Sequence, residues 1–209
     1  HKKVSSDFIK INHQTQGRQD RVYAIADAHP NCGCEAETMS PYSPGPVKPV
    51  ETLVRLVCSP MHVHSKRPEI KPNFFAHAFS FGLSVQRLEH ADYQELSQLA
   101  EGFLAPSEDR VWLGYVECPS NSLVNLRSSD SGNRLFCIYD TAEERNPAHA
   151  EIGISHRIPE ADQAEYRRHL MRAFGDGAIL DRQKMKDGAV WNQLPNNLRE
   201  RRLPQQWTK

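Results

Sequence analysis

The stretch ETLVRLVCSP, residues 51–60, is the place to enter this sequence. From Thr52 to Cys58 it is β-branched and apolar around a single charge, Arg55, and Pro60 stops it, so it reads as a strand. Upstream, Ser40-Pro41-Tyr42-Ser43-Pro44-Gly45-Pro46-Val47-Lys48-Pro49 has four prolines in nine residues. Proline fixes φ and removes a donor, so this run is expected to be extended rather than packed. It separates a polar, Pro-rich N-terminal extension, residues 1–50, from a compact domain over 51–180. Within the extension, Arg21-Val22-Tyr23-Ala24-Ile25-Ala26 reads as a strand.

Downstream, the apolar run Phe74–Phe79 reads as strand or short helix, and Gly82-Leu83-Ser84-Val85-Gln86-Arg87 as a strand entered through glycine. Residues 89–103 space Tyr93, Leu96, Leu99 and Ala100 as a helix does. Three further strands are expected at 111–116, 134–139 and 150–154. A helix opens at Ile158-Pro159-Glu160, with proline near its first turn and acids at its N-terminus, and Gly175-Asp176-Gly177 ends it. Strands and helices do not alternate regularly. The expected fold is therefore α+β, a mixed or mostly antiparallel sheet with two principal helices and irregular extensions.

The 209 residues carry 26 basic and 26 acidic side chains, so no global field favours nucleic acid or membrane. An apolar share of 38% and a mean hydropathy of −0.66 place part of the chain outside the core. No run approaches the ~18 apolar residues of a membrane helix, and HKKVSSDFIKINHQ has no apolar signal core. A cytoplasmic protein is expected. Five cysteines, an odd number, argue against a disulfide framework. Residues 182–209 form a basic tail: seven Lys and Arg, among them Lys184, Lys186, Arg199, Arg201 and Arg202, face only Asp187 and Glu200. With Trp191 and Trp207 the tail is a candidate contact for nucleic acid or a protein partner.

Three constellations carry candidate chemistry. His29-Pro30-Asn31-Cys32-Gly33-Cys34 offers an imidazole and two thiols, which His62 and His64, or Cys58, would complete to a tetrahedral zinc site. Met61-His62-Val63-His64 places two imidazoles on one face if extended, or beside a phosphate if looped near Lys66 and Arg67. In RNPAHAEIGIS, residues 145–155, His149 and Glu151 share a strand face. A His-x-Glu pair fits a zinc deaminase only with a later Pro-Cys-x-x-Cys, and no cysteine follows Cys137, so that chemistry is excluded. There is no Gly-x-Ser-x-Gly and no Walker loop.

Arg55, Ser84 and Glu151 stand in the chain order of one class of ADP-ribosyltransferases. That resemblance implies that Arg55 grips the phosphates of NAD, Ser84 orients the carboxylate, and Glu151 holds the acceptor or ribose hydroxyl, with His149 beside it. An oxocarbenium-like centre needs a carboxylate nearby and a cation on the leaving pyrophosphate. His62, His64 and Arg87 join Arg55 as candidate cofactor contacts. Separately, "RLVCSP", a Phe-containing run, "GLSVQR", a helix, "GYVE" and "PAHAEI" resemble a family of small bacterial proteins of unknown function, over about half the chain. In that family a histidine often stands where Cys58 stands here. The function expected is a nucleotide- or nucleic-acid-directed enzyme, with a non-catalytic accessory protein or a small zinc protein as alternatives.

Overall fold

The computed structural model describes residues 6–64, 67–105 and 110–181. The organising element is an antiparallel sheet of six strands: β1 (Thr52–Ser59), β4 (Leu83–Arg87), β5 (Val111–Pro119), β6 (Phe136–Asp140), β7 (His149–Ile154) and β8 (Leu180–Asp181). Their order across the sheet is β6-β7-β4-β1-β5-β8, and a separate hairpin joins β2 (Val63–His64) to β3 (Arg67–Ile70). The α+β class and the antiparallel sheet are those expected from the sequence.

β1 is central and buried on both faces, which is why its apolar run is nearly continuous. Leu53 and Val57 enter a core with Leu83, Val85, Ile138 and Ile152, covered by the 3₁₀ segment Pro72–Phe79 and helices α4 (Ser120–Val124) and α5 (Gln163–Ala173). Val54, Leu56 and Cys58 point the other way, into a second core under helix α3 (Tyr93–Leu104). Helix α3 begins with a capping box: Glu95 N–H donates to the Asp92 side chain while the Glu95 carboxylate receives the Asp92 N–H. Such a cap is worth about 1 kcal/mol.

The N-terminal segment differs from its expectation. Arg21–Ala28 is a helix, α2, not a strand, and α1 (Ser6–Thr15) precedes it. Val22, Ile25 and Ala26 are the buried apolar positions of α2. That i, i+3, i+4 spacing puts them on one helical side, whereas a strand would split them between two faces. Phe8 and Ile25 are wholly buried with Cys137 and Tyr139 of β6. Each such side chain contributes about 1.5–3 kcal/mol of apolar burial.

The proline-rich run has no helix or strand, as its prolines dictate, yet it is packed. The Ser43 hydroxyl donates to Asp140, and Gly45 and Pro46 offer their carbonyls to Arg87. Two strand ends, at Asp140 and Arg87, hold it down.

Candidate functional site

β1 and β4 are registered only at Leu53↔Arg87 and Val54↔Gln86. Beyond that point β1 continues along β5 to Ser59↔Val111, while β4 continues along β7 to Leu83↔Ile152. The two strands part, and the gap opens into a cleft of about 380 Å³ whose lining includes Arg55, His62, His77, Ser84, Glu143, Asn146 and His149. Arg55 spans the opening. Its Nη1 donates to the Ser84 carbonyl at 2.6 Å, and its guanidinium lies 4.7 Å from the centre of the Phe74 ring. Its Nε is closed to solvent and has no hydrogen-bond partner. Burial pushes the guanidinium down to about 10.

Three imidazoles surround this cation. The Cys58 N–H donates to His62 Nδ1 at 3.0 Å, so the ring proton of neutral His62 sits on Nε2. Burial first, then the charges of Arg55, Lys71 and Arg110, bring His62 down to about 4, and burial and Arg55 lower His77 as well. Both are uncharged at neutral pH. His149 is held in the opposite tautomer. Its Nδ1 lies 2.8 Å from the Thr141 hydroxyl oxygen and 3.2 Å from the Thr141 carbonyl oxygen. A carbonyl only accepts, so Nδ1 carries a proton, and in the neutral ring the lone pair is on Nε2. The cleft thus combines an anion-seeking cation, a neutral N–H donor and a lone-pair base, an array suited to a phosphate ester and to proton transfer beside it.

Three of the four residues expected to be catalytic, Arg55, Ser84 and His149, line this one cleft. Glu151 does not. It pairs across the strands with Ser84, but its carboxylate is taken by Arg21 of α2 at 2.5 Å, while Arg21 also donates to the Phe81 carbonyl and to Asn12. Gly82, at φ +100°, makes room for this pair: a Cβ there would lie 2.7 Å from both Arg21 Nη1 and Glu151 Oε2. Among the expected cofactor contacts, Arg55 and His62 line the cleft and Arg87 does not. Arg87 is wholly buried, with Nε and Nη2 on Glu51 at 2.6 and 2.7 Å and Nη1 on the Gly45 carbonyl at 2.6 Å. The side chain of His64 and residues 182–209 lie outside the described residues.

The expected zinc set is not assembled. His62 faces Phe74 in the cleft, ring centres 4.9 Å apart, whereas Cys32 and Cys34 are buried with Phe8 and Tyr139 under α1 and α2. Nor is Cys32 a thiol: it forms a disulfide with Cys137, Cα atoms 5.3 Å apart, against the expectation from the cysteine count. The bond joins positions 105 residues apart, a contact that only the tertiary fold creates. Burial pushes the thiols of Cys34 and Cys118 up to about 12 and raises Cys58, so these three stay protonated and weakly nucleophilic.

No protein-family model matches this chain, and no curated protein or solved structure is detectably similar to it. The chemistry must therefore be read from the side chains. Among the described residues no helix is long and apolar enough to cross a membrane.

A second opening, of about 430 Å³, is lined in part by Asn31, Arg134, Ser155, His156 and Arg157. Its adjacent serine and histidine suggest a nucleophile and its base, but their hydrogen bonds run the wrong way. The Ser155 hydroxyl donates to the Arg134 carbonyl, so its oxygen accepts from His156 Nδ1 at 2.8 Å. His156 Nε2 in turn accepts from the Tyr166 hydroxyl at 3.3 Å. A nucleophilic serine must give its proton to the imidazole. This chain of bonds is complete without a ligand.

Sequence reasoning missed His77, Glu143 and Asn146 in the cleft. His77 had a signal, being the lone polar side chain of an apolar run. Glu143 and Asn146 sit in a turn closed by mutual backbone hydrogen bonds, and nothing in their local sequence marks them.

Proposed function

We propose that the Arg55 cleft binds the phosphate of a nucleotide, and that the protein is a nucleotide- or nucleic-acid-directed enzyme that moves protons at that phosphate ester. One observation carries this reading. Arg21, Arg87 and Arg134 each pair with a carboxylate, Glu151, Glu51 and Glu35, but Arg55 has no acidic partner among the described residues. An unpaired, desolvated guanidinium is costly, and an anionic ligand supplies the missing counter-charge. The tautomers of His62 and His149 favour proton delivery from the first and uptake by the second.

ADP-ribosyl transfer from NAD is one reaction of this class. It requires a carboxylate at the oxocarbenium centre, and the carboxylate lining this cleft is Glu143 rather than Glu151. Glu143→Gln is therefore expected to abolish release of nicotinamide from NAD, and Glu151→Gln to leave it measurable. The basic residues of 182–209 remain candidates for a second contact with a polyanionic substrate or a protein partner.

Calorimetric titration with ADP and with a short single-stranded RNA tests the binding site. Losing a charge-assisted hydrogen bond costs about 1.5–3 kcal/mol, so Arg55→Met should weaken binding roughly 10- to 100-fold. Equal affinity of wild type and Arg55→Met for both ligands, or no binding of either by wild type, overturns the reading.

A further inference from the structure

The cluster under α1 and α2 holds more donor atoms than its disulfide uses. One ligand atom each from Cys32, Cys137 and Glu35 lies within 4.8 Å of the others. Zinc–ligand bonds of ~2.0–2.3 Å at tetrahedral angles put donors about 3.3–3.8 Å apart, so small side-chain shifts bring these three to one ion. A fourth donor lies outside that group of three but stands next to it in the chain. His29 immediately precedes the 3₁₀ segment Pro30–Ala36 that carries Cys32 and Glu35; its Nε2 is closed to solvent and has no hydrogen-bond partner. Its ring meets Phe8 at 5.7 Å, and Phe8 meets Tyr139 at 6.0 Å inside the cysteine cluster. A buried nitrogen without a partner is a cost to the fold, which coordination would recover.

The surroundings fit a metal centre in two further respects. Glu35 accepts from both Nη atoms of Arg134 at 2.7 Å and from the Ile138 N–H at 2.7 Å, the outer hydrogen bonds that orient a ligating carboxylate. The charges also close: two thiolates and Glu35 against a divalent cation and Arg134 sum to zero. Asn31 and Cys32, both non-glycine residues at φ +55° and +59°, turn the chain so that Cys32 faces β6. Left-handed non-glycine residues are strained and persist where the surrounding structure holds them.

We propose that Cys32, Cys137, Glu35 and His29 form a site for a thiophilic divalent ion of the zinc class, present only when the Cys32–Cys137 bond is reduced. Disulfide and metal are then two states of one clamp between the N-terminal segment and β6. A small-molecule dithiol opens it: the disulfide gains two electrons and two protons to become two thiols, and the dithiol leaves as its cyclic disulfide. Metal binding then releases the two thiol protons. This set shares His29 and Cys32 with the expected zinc site but draws on Cys137 and Glu35 in place of Cys34, His62 and His64.

The test uses the full chain, reduced and freed of reductant under anaerobic conditions, then titrated with cobalt(II). One equivalent should bind with the thiolate-to-cobalt charge-transfer band of a tetrahedral centre, and zinc should displace it. The oxidised chain should show no such band, and His29→Ala should weaken binding at least tenfold. No thiolate–cobalt absorption in the reduced chain, or unchanged binding in His29→Ala, overturns the proposal. Alkylation mapped by mass spectrometry serves where a variant does not fold: zinc should protect Cys32 and Cys137 of the reduced wild type and leave Cys34, Cys58 and Cys118 unaffected. Equal labelling of Cys32 and Cys137 with and without zinc also overturns it.

Discussion

Arg55 and Arg87 stand on neighbouring strands, β1 and β4, and they do opposite work. Around Arg87 the fold has supplied a bidentate carboxylate from Glu51, a peptide carbonyl at Gly45 and a second acid, Asp140, 3.7 Å away. Around Arg55 it has supplied one carbonyl and the face of an aromatic ring, and no ion-paired carboxylate among the described residues. Both are basic residues within apolar strands, and sequence alone makes both candidates for a cofactor phosphate. The structure separates them by what remains unsatisfied. Arg87 is closed to solvent and complete; Arg55 lines a cleft and is incomplete. The proposed ligand site lies at the arginine whose bonds are unfinished.

The largest test of this contrast is Arg87→Leu. It leaves Glu51 and Asp140 buried without their cation, so it should destabilise the fold by about 3–5 kcal/mol in urea unfolding. A loss below about 1 kcal/mol would remove the structural role given to Arg87. A smaller effect is expected from acid. His62 is held near 4 in the folded chain against about 6.5 when unfolded, so between those values the unfolded chain binds more protons. Stability should be complete above pH 6.5 and fall as pH drops towards 4, by about 2–3 kcal/mol at most. His62→Phe should flatten that window, and an unaltered slope would mean that His62 is not held neutral by Arg55 and its burial. The smallest effect is on Arg55 itself. Arg55→Met keeps most of the packing on Phe74 and removes an uncompensated charge, so unfolding free energy should change by less than about 1 kcal/mol. A large loss of stability would place Arg55 beside Arg87 as a structural residue.

The legible parts of this fold were those where local pattern and tertiary environment agree. β1, β4, α3 and α5 follow apolar runs or helical spacing that any packed setting would use. Arg21–Ala28 misleads because alternating Val22, Ala24 and Ala26 look like a strand, and its helical side shows only once Val22 and Ile25 meet their burial partners. In the cleft, Arg55, Ser84, His62 and His149 were visible as polar residues set in or beside strands. That Glu151 would turn to Arg21 was not, because the two are 130 residues apart and meet only over Gly82. The Cys32–Cys137 pairing was invisible for the same reason.

By itself the sequence determined the α+β class with a mixed or mostly antiparallel sheet, the strand at residues 52–58 and the short roster of residues able to do chemistry. Periodicity and side-chain type are local properties, and they survive without knowledge of neighbours. Only the tertiary structure decided which arginine keeps its charge unpaired, which glutamate is spent on an ion pair, and which cysteines meet. Those outcomes depend on which distant groups satisfy one another, and electrostatic and hydrogen-bond satisfaction is settled through space rather than along the chain.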